Sequence, residues 1–340
     1  MNPIKQRQAM VRRLERRMAC DGKINFPAVP SMAEEFADRC AQVFAALGRK
    51  LSESEQAELQ NKLLSQLEIA FAQSQRSSIT VSYSAKISGL LNYFIAPEYA
   101  TLEQTYEEWV SSREPPYFGK DPDAKVLDIA DQIRNNKSIR VLDIGAGTGR
   151  NALALARLGH HVDAIEMTSK FADILIESAR KDALAINVIT KDLFKANDKL
   201  SKDYDLILLS EVVSDFRNVL QLRDLFEMAS KLMTPSGVLL LNAFIAKQHY
   251  CGDDAAREFG QLVYTSFFTS QELSDATAGL PLDLVSDESV HDYELAHLPT
   301  TAWPPTKWYP EWVAGLDLFN TTREDSPIEM RWLTFRRSDS

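Results

Sequence analysis

The sequence predicts an α/β fold, a mostly parallel seven-stranded sheet with helices on both faces, preceded by an added N-terminal helical domain. Three observations predict it. From about residue 124, short apolar runs alternate with helical segments, the pattern of strand–helix–strand units in a parallel sheet. The first of those runs leads into a turn with glycines at 145, 147 and 149. Residues 1–120 lack that alternation and carry helical stripes instead.

Taken in order, the first helix places Ile4, Val11, Leu14 and Met18 at helical spacing beside Lys5, Arg7, Arg12, Arg13, Arg16 and Arg17. Such a face suits a membrane surface or an acidic partner, but a docked helix with a solvated face explains it more simply. "DGKINFPAVPS" reads as a Pro-containing loop, followed by a second helix from about Met32 to Leu47. Ser52 and Glu55 have capping-box spacing and open a long helix striped by Leu59, Leu63, Leu67 and Phe71. "SSITVSYSAK" is ambiguous, with an extended reading favoured. "ISGLLNYFIAPEY" reads as a buried helix stopped by Pro97.

Strands are expected at Arg140–Ile144, His161–Ile165, Ala185–Ile189, Asp205–Leu209 and Val238–Phe244. A second capping box, Thr269 to Glu272, opens a helix ending near Gly279, and Leu282–Val285 and Ile328–Phe335 finish the sheet. Between those last strands lies an irregular insertion, 286–327, rich in Trp and Pro. The expected domains are a helical cap over 1–120 and the sheet domain over 121–340.

Composition sets bounds. At 340 residues and 45% hydrophobic, the chain can bury a large core. Its three cysteines, Cys20, Cys40 and Cys251, are widely spaced and imply neither a disulfide framework nor a metal site, so a reducing cytoplasm is the expected compartment. No run approaches the roughly 18 apolar residues of a membrane span. Charge is uneven, +1 over residues 1–120 and −11 over 121–340. An acidic sheet domain repels a phosphate backbone, so no nucleic-acid partner is expected.

"VLDIGAGTGR", residues 141–150, raises the central question of which ligand needs so bare a turn. A parallel sheet binds ligands outside the carboxyl ends of its strands. Glycines there permit a tight turn and close approach to the backbone. A dinucleotide fingerprint is spaced G-x-G-x-x-G so that a pyrophosphate rests on the helix N-terminus. Here the spacing is G-x-G-x-G behind Asp143, a poor neighbour for a pyrophosphate and a good one for the ammonium of S-adenosylmethionine. Glu166 ends the second strand, 17 residues beyond Gly149, where a carboxylate accepts from ribose hydroxyls in either ligand class. Asp192 follows the third strand and is placed for an adenine amine, although a lone Asp there is more often a helix cap. Ser210 and Glu211 end the fourth strand.

Residues 138–244 resemble the class I S-adenosylmethionine-dependent methyltransferases, whose fold is Rossmann-like. "GTGRNALALARLGHHVDAIEMT" and "SFFTSQEL" are most similar to the tellurite-resistance and thiol-methyltransferase branch. The resemblance implies S-adenosylmethionine as cofactor, held by Asp143, Gly145, Ala146, Gly147, Gly149, Glu166, Met167, Asp192, Leu193, Ser210 and Glu211. It does not extend to residues 1–100, and the insertion departs from that branch.

Methyl transfer is an in-line displacement at an activated carbon, so the protein mainly aligns reactants and excludes water. A general base matters only for a poor nucleophile, and His249, Tyr250 and His291 are weak candidates, with His297 beside them. Trp303, Trp308, Tyr309, Trp312 and Phe319 either wall a small-molecule acceptor or pin the insertion to the sheet. Arg113 is within reach of a cofactor carboxylate or of a surface ion pair. The N-terminal helices are expected to cap the acceptor or, failing that, to form a homodimer surface. A catalytically silent binding scaffold and a dinucleotide-dependent oxidoreductase are the alternative readings.

Overall fold

A computed structural model describes residues 3–15, 18–86, 90–135, 137–196 and 200–338. The chain divides into two compact units, Met1–Leu102 and Glu103–Ser340, so the segment 103–120 groups with the sheet unit.

The first unit is not wholly helical. In chain order it contains α1 (Pro3–Glu15), β1 (Ala19–Pro27), α2 (Ala33–Ala46), α3 (Glu53–Gln73), β2 (Ser78–Lys86) and β3 (Leu91–Glu98). The strands form an antiparallel sheet in the order β1-β2-β3. The expected loop over 21–31 is largely β1, and the expected helix before Pro97 is β3. Both strands lie at the sheet's edges, where proline is tolerated because no ladder donor is needed on the open side. Tyr93, Phe94 and Ile95 are bulky residues that fit a pleated surface, and once β2 supplies a ladder the extended form wins over a short helix. The capping box at Ser52 and Glu55 is formed, and Leu59, Leu63 and Leu67 are fully buried. Helix α1 buries none of its residues, which corrects the expectation of a docked helix. Arg16 and Arg17 lie outside the described residues.

The second unit holds α4 (Leu102–Ser112, entering from the first unit), α5 (Ala124–Arg134), β4 (Arg140–Ile144), α6 (Arg150–Arg157), β5 (His161–Glu166), α7 (Ser169–Lys181), β6 (Ile186–Thr190) and β7 (Tyr204–Leu209). It continues with α8 (Val219–Leu232), β8 (Met233–Ala246), α9 (Asp254–Leu262), β9 (Phe267–Phe268), α10 (Ser270–Thr277), β10 (Leu282–Ser289), α11 (Val290–His297), α12 (Tyr309–Val313) and β11 (Ile328–Arg337). The expected irregular insertion thus contains α11 and α12.

The sheet order is β10-β11-β8-β7-β4-β5-β6, with the short β9 beside β8. β11 alone runs against its neighbours β8 and β10, and the remaining pairings are parallel. Successive residues of each central strand enter opposite cores. Val141, Leu206, Leu208 and Leu240 face the side of α5, α6 and α12, whereas Leu142, Ile207, Leu209 and Leu241 face that of α8 and α10. The period-2 pleat explains the near-continuous apolar runs of these strands. From β4 the chain winds one way to β5 and β6, then returns to β7 on the other side. That reversal opens a crevice at the carboxyl ends of β4 and β7, where doubly wound sheets bind ligands. Among the described residues no helix is long and apolar enough to cross a membrane.

Candidate active site

The glycine turn closes β4 onto α6. Gly145, Gly147 and Gly149 have φ of +69°, +55° and +91°, the left-handed region that side-chain-bearing residues rarely adopt. Space is also limiting. A Cβ on Gly145 would stand 2.4 Å from Val212 Cγ2, and one on Gly149 would stand 2.3 Å from Leu175 Cδ1. At Gly147 the nearest atom is the ring edge of Phe118, at 3.4 Å. The segment upstream of the sheet therefore reaches the turn through Phe118. Its aromatic neighbours continue through Trp109 and Phe171, at 6.2 and 5.2 Å between ring centroids.

Glu166, at the end of β5, is buried. Its Oε2 accepts from the Gly147 amide at 2.8 Å and its Oε1 from the Thr168 amide at 2.7 Å. Burial raises its pKa, and these amide donors oppose the rise. Asp143 lies beneath the turn. Its Oδ2 has no hydrogen-bond partner among the described residues. Burial first, then the charges of Asp123 and Glu166, push its pKa up to about 8 against the pull of Arg150.

A network not anticipated from sequence surrounds this carboxylate. Arg150, at the start of α6, is buried between Asp123 and Glu211, at 3.0 and 2.7 Å, and donates to the Phe118 carbonyl at 2.9 Å. Those two carboxylates raise its pKa further, against the cost of burial. Asp123 Oδ2 also accepts from Asn151 at 2.9 Å and Ser210 at 2.7 Å. Glu211 has φ of +63°, and its amide donates to Asn242 Oδ1 at 2.6 Å. Ser210 and Glu211 therefore reach the site, but their side chains are committed to Asp123 and Arg150. Asp123 precedes an apolar run in "DPDAKVLDIA", a cap-like signal available in the sequence. Nothing local marks its partner Arg150.

The other expected residues are placed as follows. Ala146 and Leu193 are buried and Met167 half-buried. Asp192 caps a short 3-10 turn, accepting from the Phe194 amide at 2.9 Å, so its simpler reading is realised. His249 is exposed, and Tyr250 packs against Phe267 and Phe319 with its pKa raised by burial. His291 lies 3.2 Å from Asp292 and packs edge-on to Trp303, and His297 stacks on Tyr293. Arg113 is exposed and sits 3.7 Å over the Trp109 ring.

The insertion's aromatic residues pin it to the sheet. Trp312 is buried against Phe244 and donates from Nε1 to the Tyr264 carbonyl at 3.0 Å. Tyr309 is only 1% exposed, and burial first, then the charges of Glu211 and Asp123, raise its pKa well above the ordinary value. The insertion also supplies Glu294, fully buried. Its carboxylate accepts from the Ala124 amide at 2.8 Å, the Lys125 amide at 3.2 Å and Trp332 Nε1 at 3.0 Å. A carboxylate from a distant helix thus caps α5 beside Asp123. Among the described residues no cluster of three or more His, Cys, Asp or Glu could hold a metal ion.

Residues 114–265, which carry the turn, Glu166 and the Arg150 network, match the family "Tellurite resistance protein TehB". The segment is thus similar to S-adenosylmethionine-dependent methyltransferases of the TehB type. The chain is 25% identical over 171 residues to phosphoethanolamine N-methyltransferase of Plasmodium falciparum, covering 48% of this chain and 61% of that one. It is 33% identical over 104 residues to a probable S-adenosyl-L-methionine-dependent methyltransferase TehB of Haemophilus influenzae, covering 30% of this chain and 35% of that one. The chain thus spans less than two thirds of the length of either relative. The crystal structure of TehB from Haemophilus influenzae superposes with a TM-score of 0.42 at 16% identity, covering 76% of this chain and 74% of that one.

Proposed function

We propose that the second unit binds S-adenosylmethionine over the glycine turn and supports transfer of its methyl group to a small-molecule acceptor. One observation carries this reading. Four buried or nearly buried carboxylates, Asp123, Asp143, Glu166 and Glu211, gather around the turn with a single buried guanidinium, Arg150. Even with Asp143 protonated, Asp123, Glu166 and Glu211 outnumber Arg150, and that excess of negative charge in a low-dielectric site suits a ligand bearing an ammonium and a sulfonium. It opposes a pyrophosphate, which weighs against a dinucleotide-dependent oxidoreductase.

The residues present fit the cofactor. The orphaned Asp143 Oδ2 is a buried acceptor suited to an ammonium group, directly or through water. Glu166 is suited to ribose hydroxyls, sharing its lone pairs with the Gly147 amide. Asp192 Oδ2, 3.7 Å from Lys195 Nζ, is suited to an adenine amine. When bound, the cofactor supplies an electrophilic methyl carbon. The chain's own part is to orient the reactants and keep water out, and Phe118 beside Gly147 suits that task. The names of the relatives support the same chemistry.

Calorimetric titration with S-adenosylmethionine and S-adenosylhomocysteine tests the cofactor, and a screen of S-adenosylhomocysteine release against small molecules tests the reaction. Absence of binding to either would remove the proposal. Binding without turnover across the screen would favour a catalytically silent scaffold.

A further inference from the structure

A cavity of about 230 Å³ lies in the second unit where the chain leaves β7 and enters α8. Arg217, Arg257, Gln261 and Ser266 line it, and Phe216 and Phe268 are among its apolar walls. It shares the β7–α8 connection with the site already described. Arg217 stands six residues beyond Glu211 on the same β7–α8 connection, and the carbonyl of Ser214 on that connection accepts from the Ser266 amide at 3.1 Å.

The cationic groups of the cavity are held in place by other bonds. Arg217 Nε donates to Gln261 Oε1 at 3.4 Å, while Gln261 Nε2 donates back to the Arg217 carbonyl at 3.0 Å. Arg257 donates from Nε to the Cys251 carbonyl at 3.1 Å and pairs with Glu272 at 3.1 Å. Glu272 also lines the cavity, and it is fixed as well by the Thr269 amide of the α10 capping box, at 2.8 Å. Among the described residues, two guanidiniums and one carboxylate line the cavity. The Ser266 hydroxyl is buried and has no hydrogen-bond partner among the described residues. Helix α8, 14 residues long, opens beside the cavity at Asn218 and adds the positive end of its dipole. Burial draws the Arg217 pKa below its ordinary value, so its cationic form gains from a nearby anion.

We infer that this cavity binds the oxyanion group of a small organic molecule, a carboxylate or phosphate monoester whose apolar body lies against the phenylalanine walls. Guanidinium groups recognise both oxyanions through paired N–H donors. The phenylalanine surface favours a ligand with an organic body over a bare inorganic ion. This deepens the methyl-transfer reading by naming the acceptor class, and it rests on that reading only for the acceptor role. Anion binding itself does not.

The full chain titrated with benzoate, phenyl phosphate and inorganic phosphate at constant ionic strength tests it, with S-adenosylhomocysteine titrated in parallel. At least one organic probe is expected to bind more tightly than inorganic phosphate, and the stronger of the two tells carboxylate from phosphate. Arg217→Gln is expected to weaken that probe at least tenfold, and Ser266→Ala severalfold, with S-adenosylhomocysteine affinity unchanged in both. Should Arg217→Gln fail to fold, Ser266→Ala and Arg257→Lys decide by the same comparison. If neither organic probe binds, or if binding is equal in wild type and the folded variants, the inference is overturned. An organic probe that binds while S-adenosylhomocysteine does not would uphold the cavity and remove the cofactor reading.

Discussion

The Glu166 carboxylate accepts a hydrogen bond from the Gly147 amide at 2.8 Å, joining the end of β5 to the middle of the glycine turn. One side chain thereby shapes the turn, and in the proposed reading it also meets the ribose. Glu166→Gln keeps the volume but leaves a single oxygen for two amides and a ligand. S-adenosylhomocysteine affinity is expected to fall at least tenfold in that variant, measured by calorimetry, because charged acceptors form the stronger hydrogen bonds. Unchanged affinity would separate Glu166 from the ligand.

Asp143 predicts a pH dependence whose sign can be worked out. Its folded pKa is pushed up to about 8, above the ordinary carboxylate value of about 3.9 in the unfolded chain. Between those values the folded state retains a proton that the unfolded state has lost. Stability therefore falls as pH rises through that window and is least above pH 8. Asp143→Asn removes the effect, so its Tm is expected to drop less than that of wild type between pH 5 and pH 8. A cationic ligand at Oδ2 also expels the proton. Binding enthalpy near pH 7 should then depend on the buffer's ionisation heat in wild type and lose that dependence in Asp143→Asn. Equal buffer dependence in both would assign the proton elsewhere. Asp143→Ala is expected to weaken cofactor binding by about 1–3 kcal/mol.

The three turn glycines should respond differently to substitution. Gly145→Val and Gly149→Val meet Val212 and Leu175 at clashing distance as well as an unfavourable φ, so thermal melts should show severe destabilisation. Gly147→Ala meets only a ring edge and incurs mainly the left-handed backbone penalty, about 1–2 kcal/mol. It is expected to fold and to lose ligand binding. Normal binding by folded Gly147→Ala would place the ligand off this turn.

Glu294 caps α5 from 170 residues away, and burial pushes its pKa up to about 7. Glu294→Ala leaves two α5 amides and the Trp332 indole N–H without their acceptor, a loss of about 1–3 kcal/mol for each buried group left unsatisfied. Denaturant titration should show the lower midpoint. A weaker S-adenosylhomocysteine affinity should accompany it, because Asp123 begins at the same helix end. A destabilised variant with unaltered affinity would show that the cap does not position the Arg150 network.

The local parts of this architecture were legible in the chain. Both capping boxes formed at Ser52 with Glu55 and Thr269 with Glu272, because a side chain three residues from its amide needs only a helix start. The strand runs of the second unit were equally plain, since a doubly covered strand must be apolar on both pleats. The glycine turn announced itself because few other residues tolerate its φ values.

Tertiary structure decided the rest. β1 and β3 became strands because β2 lay between them, and a short segment takes the ladder that its neighbours offer. The insertion's aromatics became a core because the second face of the sheet needed covering. Arg150 with Asp123 and Glu211, and Glu294 at the start of α5, are pairs 27, 61 and 170 residues apart. No period or spacing encodes such pairs. They exist because the parallel sheet delivers several strand ends to one edge, where buried charges must find partners or shift their protonation.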